Sequence, residues 1–87
     1  MLGPAAMAPG LVLYGRAYCH LCEDMLAVLE RLRTEFDFAV SVVDVDSDPE
    51  LERRFGEVVP VLAHGERELA RTRLDEALLR VYLSRFR

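Results

Sequence analysis

Lysine is missing altogether: each of the 11 basic residues is an arginine. That bias reads as genome composition, and the arginines as plain surface charge. Missing too is any basic cluster of the kind that tracks a phosphate backbone, and the net charge is -4, so nucleic acid is not an expected partner. No apolar run approaches the ~18–20 residues of a membrane span, so no membrane partner is expected either. Residues 1–10 lack a charged start and are interrupted by Gly3, Pro4, Pro9 and Gly10. They make a poor export signal and are expected to be a flexible leader to one domain over residues 11–87. The expected localisation is therefore cytoplasmic, where thiols stay reduced and a lasting structural disulfide is not expected. Cysteine is almost absent as well, with only Cys19 and Cys22 in 87 residues. A chain this short holds one domain, close to the size at which a single core can stabilise it without staples.

What is present is apolar and patterned. Hydrophobic residues make up 52% of the chain, enough for a core. Residues 11–14 are continuously apolar, as in a strand buried on both faces, and 15–18 form a loop. From Cys19 the apolar positions Cys22, Met25, Leu26, Leu29, Leu32 and Phe36 recur at helical spacing, which predicts a helix ending near 33–35. Residues 38–43 are rich in β-branched side chains and predict a second strand, parallel to the first because the separation admits a crossover helix. Ser47 or Asp48 can cap a short helix over 50–55 with Pro49 at its first position, and Gly56 is a candidate left-handed terminator. Residues 58–63 predict a third strand entered at Pro60. His64 and Gly65 suggest a tight turn into a fourth strand over 66–70. Thr72 and Asp75 resemble a capping box. The final helix is expected to bury a stripe of Leu74, Ala77, Leu78, Val81 and Tyr82, broadened by Leu79, Leu83 and Phe86. Seven acids and no base lie between Glu35 and Glu52, most simply a solvated face.

The chemistry-bearing stretch is Cys19-His20-Leu21-Cys22, placed where a strand gives way to a helix. The first N–H groups of a helix have no internal partner and its N-terminus is electropositive, which favours a thiolate. Cys19, on the first turn, is the expected nucleophile and Cys22 the resolving thiol; together they are the expected redox disulfide. Arg16 and His20 are expected to tune the thiolate, while Glu23 and Asp24 oppose it. Two other uses of the pair stay open. They can be core cysteines, since free cysteine is among the most buried residues. They can also contribute to zinc, although His20 and His64 complete a ligand set poorly and no metal is expected.

The order β-α-β-α-β-β-α, the C-x-x-C at the first strand-to-helix junction and the Val59-Pro60 pair resemble the glutaredoxin-like branch of the thioredoxin superfamily over residues 11–86. Residues 14–22, Tyr-Gly-Arg-Ala-Tyr-Cys-His-Leu-Cys, resemble its active-site segment. Val59-Pro60 resembles its cis-proline loop, which in the family faces the cysteines and offers the backbone before the proline to substrate. The resemblance implies a mixed four-stranded sheet flanked by helices and a thiol–disulfide oxidoreductase. Tyr18, Val59, Pro60, Thr72 and Asp75 become the expected substrate-binding residues. The expected partner is a disulfide-bearing protein or small thiol compound, met by a monomer without a resident cofactor; glutathione is a candidate co-substrate. The chain departs from the family in having His-Leu between the cysteines, Val58 before Val59-Pro60, and Ala70-Arg71-Thr72-Arg73 where a glycine pair holds glutathione. Weak glutathione recognition follows, unless Arg71 or Arg73 holds its carboxylate. The other function class is a non-catalytic thioredoxin-fold module serving as a docking surface or a redox or metal sensor.

Overall fold

The computed structural model describes residues 8–86. It contains strands β1 (Gly10–Gly15), β2 (Ala39–Asp44), β3 (Val61–His64) and β4 (Arg67–Arg71), and helices α1 (His20–Leu32), α2 (Pro49–Phe55) and α3 (Glu76–Leu83). A single 3-10 turn, Val45–Ser47, precedes α2. The four strands form one sheet in the order β2-β1-β3-β4. β1 runs parallel to β2 and antiparallel to β3, and β3 is antiparallel to β4. The mixed α/β sheet expected from the residues is therefore present.

Alternation along the strands sends side chains to two faces. Leu11, Leu13 and Leu62 meet α1 through Met25, Leu29 and Leu32, and α3 through Leu79 and Leu83. On the other face Val61 packs with Val45 and Phe55 beside Tyr14. Each fully buried leucine contributes about 1.5–3 kcal/mol.

Several boundaries differ from expectation. Residues 1–7 of the expected leader lie outside the described residues, but the domain reaches into its end: Gly10 opens β1 opposite Ala39, and the Pro9 carbonyl accepts from Ala39 N–H at 3.0 Å. β3 begins at Val61, because residues 58–60 are drawn off into a loop. Gly56 is not left-handed (φ -54). Its glycine is required by close approach instead, since a Cβ there would stand 2.6 Å from the Glu52 carbonyl oxygen. Gly65 does take a left-handed conformation (φ 61), in the two-residue turn between β3 and β4. Such turns demand it.

The last helix corrects the capping box and the stripe together. α3 is capped by Asp75, whose carboxylate accepts from Leu78 N–H at 3.2 Å; Thr72 is not its cap. Leu79 and Leu83 face the core, while Leu78 and Val81 are 68% and 59% exposed. The helix is apolar almost all round, so spacing alone does not select the buried face. Outside it, Arg31 pairs with Glu76 and Arg80 with Glu35, tying α3 to α1.

Candidate redox site

β1 delivers the chain to the loop Arg16-Ala17-Tyr18, and α1 begins immediately after Cys19. Cys19 is the N-cap of α1, in extended conformation (φ -111). Its Sγ accepts from the Cys22 backbone N–H at 3.1 Å, so one otherwise unpartnered N–H of the helix is directed at sulfur. The two cysteines are joined as a disulfide with Cα atoms 5.2 Å apart. Cys19 is half-buried, whereas Cys22 is only 8% exposed. Behind Cys22 stands Gly15, where a Cβ would lie 3.2 Å from the sulfur. The pair expected to form the redox disulfide is the pair that is joined. The two residues are not ordinary separate core cysteines.

Tyr18, next to Cys19, is 99% exposed and adopts a left-handed backbone (φ 58). That places its ring at the surface beside the disulfide. His20 opens α1 and is exposed. Arg16 has a different occupation from the one expected of a thiolate partner. Its Nη2 and Nε fork onto Asp46 at 2.6 and 3.2 Å, and its Nη1 donates to the Gly56 carbonyl at 2.8 Å. Glu52 approaches the same guanidinium at 3.5 Å. The hydrogen bond from Arg16 holds the Asp46 carboxyl below its ordinary range. So Arg16 is committed to carboxylates and a carbonyl, not to sulfur.

The Val59–Pro60 bond is cis, as expected. Thr72 holds the residues on either side of Val59: its Oγ1 donates to the Val58 carbonyl at 3.0 Å and its N–H to the Pro60 carbonyl at 2.7 Å. It does so from a left-handed backbone (φ 68), which costs a non-glycine residue about 1–2 kcal/mol. The N–H and C=O of Val59 have no partner among the described residues. Two expected substrate contacts, Thr72 and Asp75, are thus occupied inside the protein, one at the proline loop and one at the cap of α3. A hollow of about 240 Å³, lined among others by Leu21, Asp24, Met25, Thr72, Arg73 and Leu74, lies between α1 and the loop before α3. A second, of about 350 Å³, is lined by the apolar Leu13, Cys22, Leu26 and Val42 together with the charged Arg16, Glu23 and Asp44.

Sequence reasoning missed Asp46, Glu52 and the Gly56 carbonyl. A signal existed: Arg16 is the sole arginine before Arg31, and the acid run from Glu35 to Glu52 has no base of its own. His64, expected in the turn, is the last residue of β3 and hydrogen-bonds the Tyr82 hydroxyl beside Phe86. Among the described residues no group of three or more His, Cys, Asp or Glu side chains is placed to hold a metal ion. No helix among them is long and apolar enough to cross a membrane.

Comparison with known proteins agrees with this fold. Protein Ne2328 from Nitrosomonas europaea, solved by solution NMR, is 40% identical, with 87% of this chain and 92% of that chain covered and a TM-score of 0.77. An X-ray structure from X. campestris is 36% identical, covering 86% of this chain and 96% of the other, TM-score 0.72. A thioredoxin variant from Halobacterium salinarum is 26% identical over 88% of this chain and 73% of its own, TM-score 0.60. No curated protein matches. The family described as "Glutaredoxin-like domain (DUF836)" matches residues 10–84, nearly the whole domain with both cysteines and the proline loop inside it. The chain belongs to this glutaredoxin-like family of the thioredoxin superfamily.

Proposed function

We propose that the protein is a thiol–disulfide oxidoreductase that reduces protein or low-molecular-weight disulfides with the Cys19/Cys22 dithiol. The observation that supports this reading most is the N–H of Cys22 aimed at Cys19 Sγ on the N-cap of α1. Once the pair is reduced, the same N–H and the helix terminus favour the Cys19 thiolate. That thiolate attacks one sulfur of a substrate disulfide. The substrate S–S bond breaks, one half leaves as a thiolate and takes up a proton, and the other stays bonded to Cys19. Cys22 then gives up its proton and attacks Cys19 Sγ. The Cys19–Cys22 disulfide forms, the second half leaves, and two electrons have passed to the substrate. A low-molecular-weight thiol or a dithiol reductant restores the starting form.

Val59 supports an extended substrate. Its free N–H and C=O can pair with a peptide strand beside the attacked sulfur. Glutathione as co-substrate has less support, because Thr72 and Asp75 are engaged internally and, of the two arginines that could hold its carboxylate, Arg71 is already paired with Glu68, which leaves Arg73 in the hollow before α3. The reading is tested by trapping. Cys22→Ser is expected to accumulate a mixed disulfide through Cys19, and Cys19→Ser to lose turnover altogether. A Cys22→Ser protein that traps nothing, with Cys22 alkylated faster than Cys19 in the reduced wild type, would overturn the assignment and favour a non-catalytic module.

A further inference from the structure

We infer that Arg16 is a positioning residue: by holding Gly56 and Asp46 it fixes the backbone of Val59 relative to Cys19, and so governs the handling of extended disulfide substrates. The inference rests on the oxidoreductase reading. Arg16 sits in the same short loop as Cys19, and its Nη1 grips the Gly56 carbonyl in the segment leading to Val59. Thr72 holds the same segment on both sides of Val59, at the Val58 and Pro60 carbonyls. Upstream, Val58 N–H reaches back to the Phe55 carbonyl at 2.9 Å, inside the segment's own turn. The one side-chain tie from the thiol loop to this segment among the described residues is therefore the guanidinium.

The tie is built rather than incidental. Asp46, which receives the fork, is itself fixed: its N–H donates to the Asp44 carboxylate at 2.9 Å, and Ser47 Oγ donates to the Asp44 carbonyl at 2.6 Å. Gly56 has no side chain to keep its backbone from the Glu52 carbonyl. A planar fork fixes direction as well as distance, which an ammonium does not. Electrostatic help to the thiolate is a different role with a different signature. Charge alone would serve there, and a charge already matched by Asp46 and Glu52 serves poorly.

The experiment compares two substrates in single turnover with pre-reduced protein. One is a short extended peptide whose central cysteine carries a mercaptoethanol disulfide; the other is bis(2-hydroxyethyl) disulfide, too small to pair with Val59. Arg16→Gln and Asp46→Asn are each expected to raise the peptide concentration for half-saturation about tenfold, the scale of a misplaced binding contact. The rate at saturation, the small-disulfide rate and the pH profile of Cys19 alkylation should stay unchanged. Arg16→Lys should fall between wild type and Arg16→Gln, and the Arg16→Gln/Asp46→Asn double variant should be no worse than either single one. Arg31→Gln, on the outer face of α1, is the control and should match wild type. Equal slowing of both substrates with the alkylation profile moved to higher pH would replace positioning with thiolate tuning. Unchanged handling of both would remove the role of Arg16. A wild-type protein that reduces neither disulfide would instead remove the oxidoreductase reading, and this inference with it.

Discussion

The two faces of the sheet are held by different physics. Beneath α1 and α3 lie Leu11, Leu13, Met25, Leu29, Leu32, Phe38, Leu62, Leu79 and Leu83, a continuous apolar layer. Beneath α2 the buried apolar cluster is smaller, Val45, Phe55 and Val61, with the Tyr14 ring 4.7 Å from that of Phe55. The first face anchors the helix that begins at the cysteines. The second carries the segment that leads to Val59, and hydrogen bonds from Arg16 and Thr72 complete what apolar burial does not. Apolar burial is nondirectional and supplies stability. A charge-assisted hydrogen bond adds little net stability at a surface but sets geometry closely. The helix that begins at the cysteines is buried in leucine, and the backbone around Val59 is held by polar contacts.

The comparison breaks most visibly if the thick face is hollowed. Leu29→Ala, at a fully buried site, should cost about 2–5 kcal/mol in urea unfolding, while Cys19 alkylation in the folded fraction stays as in wild type. A fall in reactivity per folded molecule would mean that the core also tunes the site. On the thin face, Phe55→Leu should cost less, below about 1.5 kcal/mol, yet should weaken peptide-disulfide binding more than small-disulfide reduction. An equal or larger loss of stability than Leu29→Ala would erase the distinction between faces.

The smallest effect is electrostatic. Hydrogen bonds from Arg80 hold the Glu35 carboxyl below its ordinary range, those from Arg31 do so for Glu76, and those from Arg16 do so for Asp46. A carboxyl with a depressed folded value contributes stability that is complete above its unfolded value, near ~4, and is lost as pH falls through the folded one. The urea midpoint should therefore be flat from neutral to mildly acidic pH and decline below about pH 4, the more gently at high salt. Glu35→Gln should shallow that decline, and Asp46→Asn should do so independently, because the two ion pairs share no residue. A decline unchanged in both variants would assign acid sensitivity to other groups.

Much of this was legible in the residues. The spacing of Met25, Leu29 and Leu32 gave α1, the β-branched run gave β2, and Asp48-Pro49 gave the start of α2, because each is a local signal. The cysteine pair at a helix start and the proline between α2 and β3 were legible for the same reason. The buried face of α3 was not. Leu78, Leu79, Val81 and Leu83 are equally apolar, and only the position of α1 decides that Leu79 and Leu83 turn inward. The partners of Arg16 and Thr72 were hidden too, since Asp46, Gly56 and Val58 meet them only after the chain has crossed the sheet.

β2 has a further consequence. It is an outer strand, with no strand beyond it among the described residues, and Val42 on it is 60% exposed. An open, apolar strand margin is a template on which a second chain can continue the sheet and start an aggregate. Asp37 precedes this strand, Asp44 ends it, and Asp46 and Asp48 follow directly. Two such margins brought together would set like charges against one another from end to end. The acid run thus sets like-charge repulsion against continuation of the sheet along β2 at neutral pH, while one of its members, Asp46, also pairs with the arginine in the loop before the cysteines.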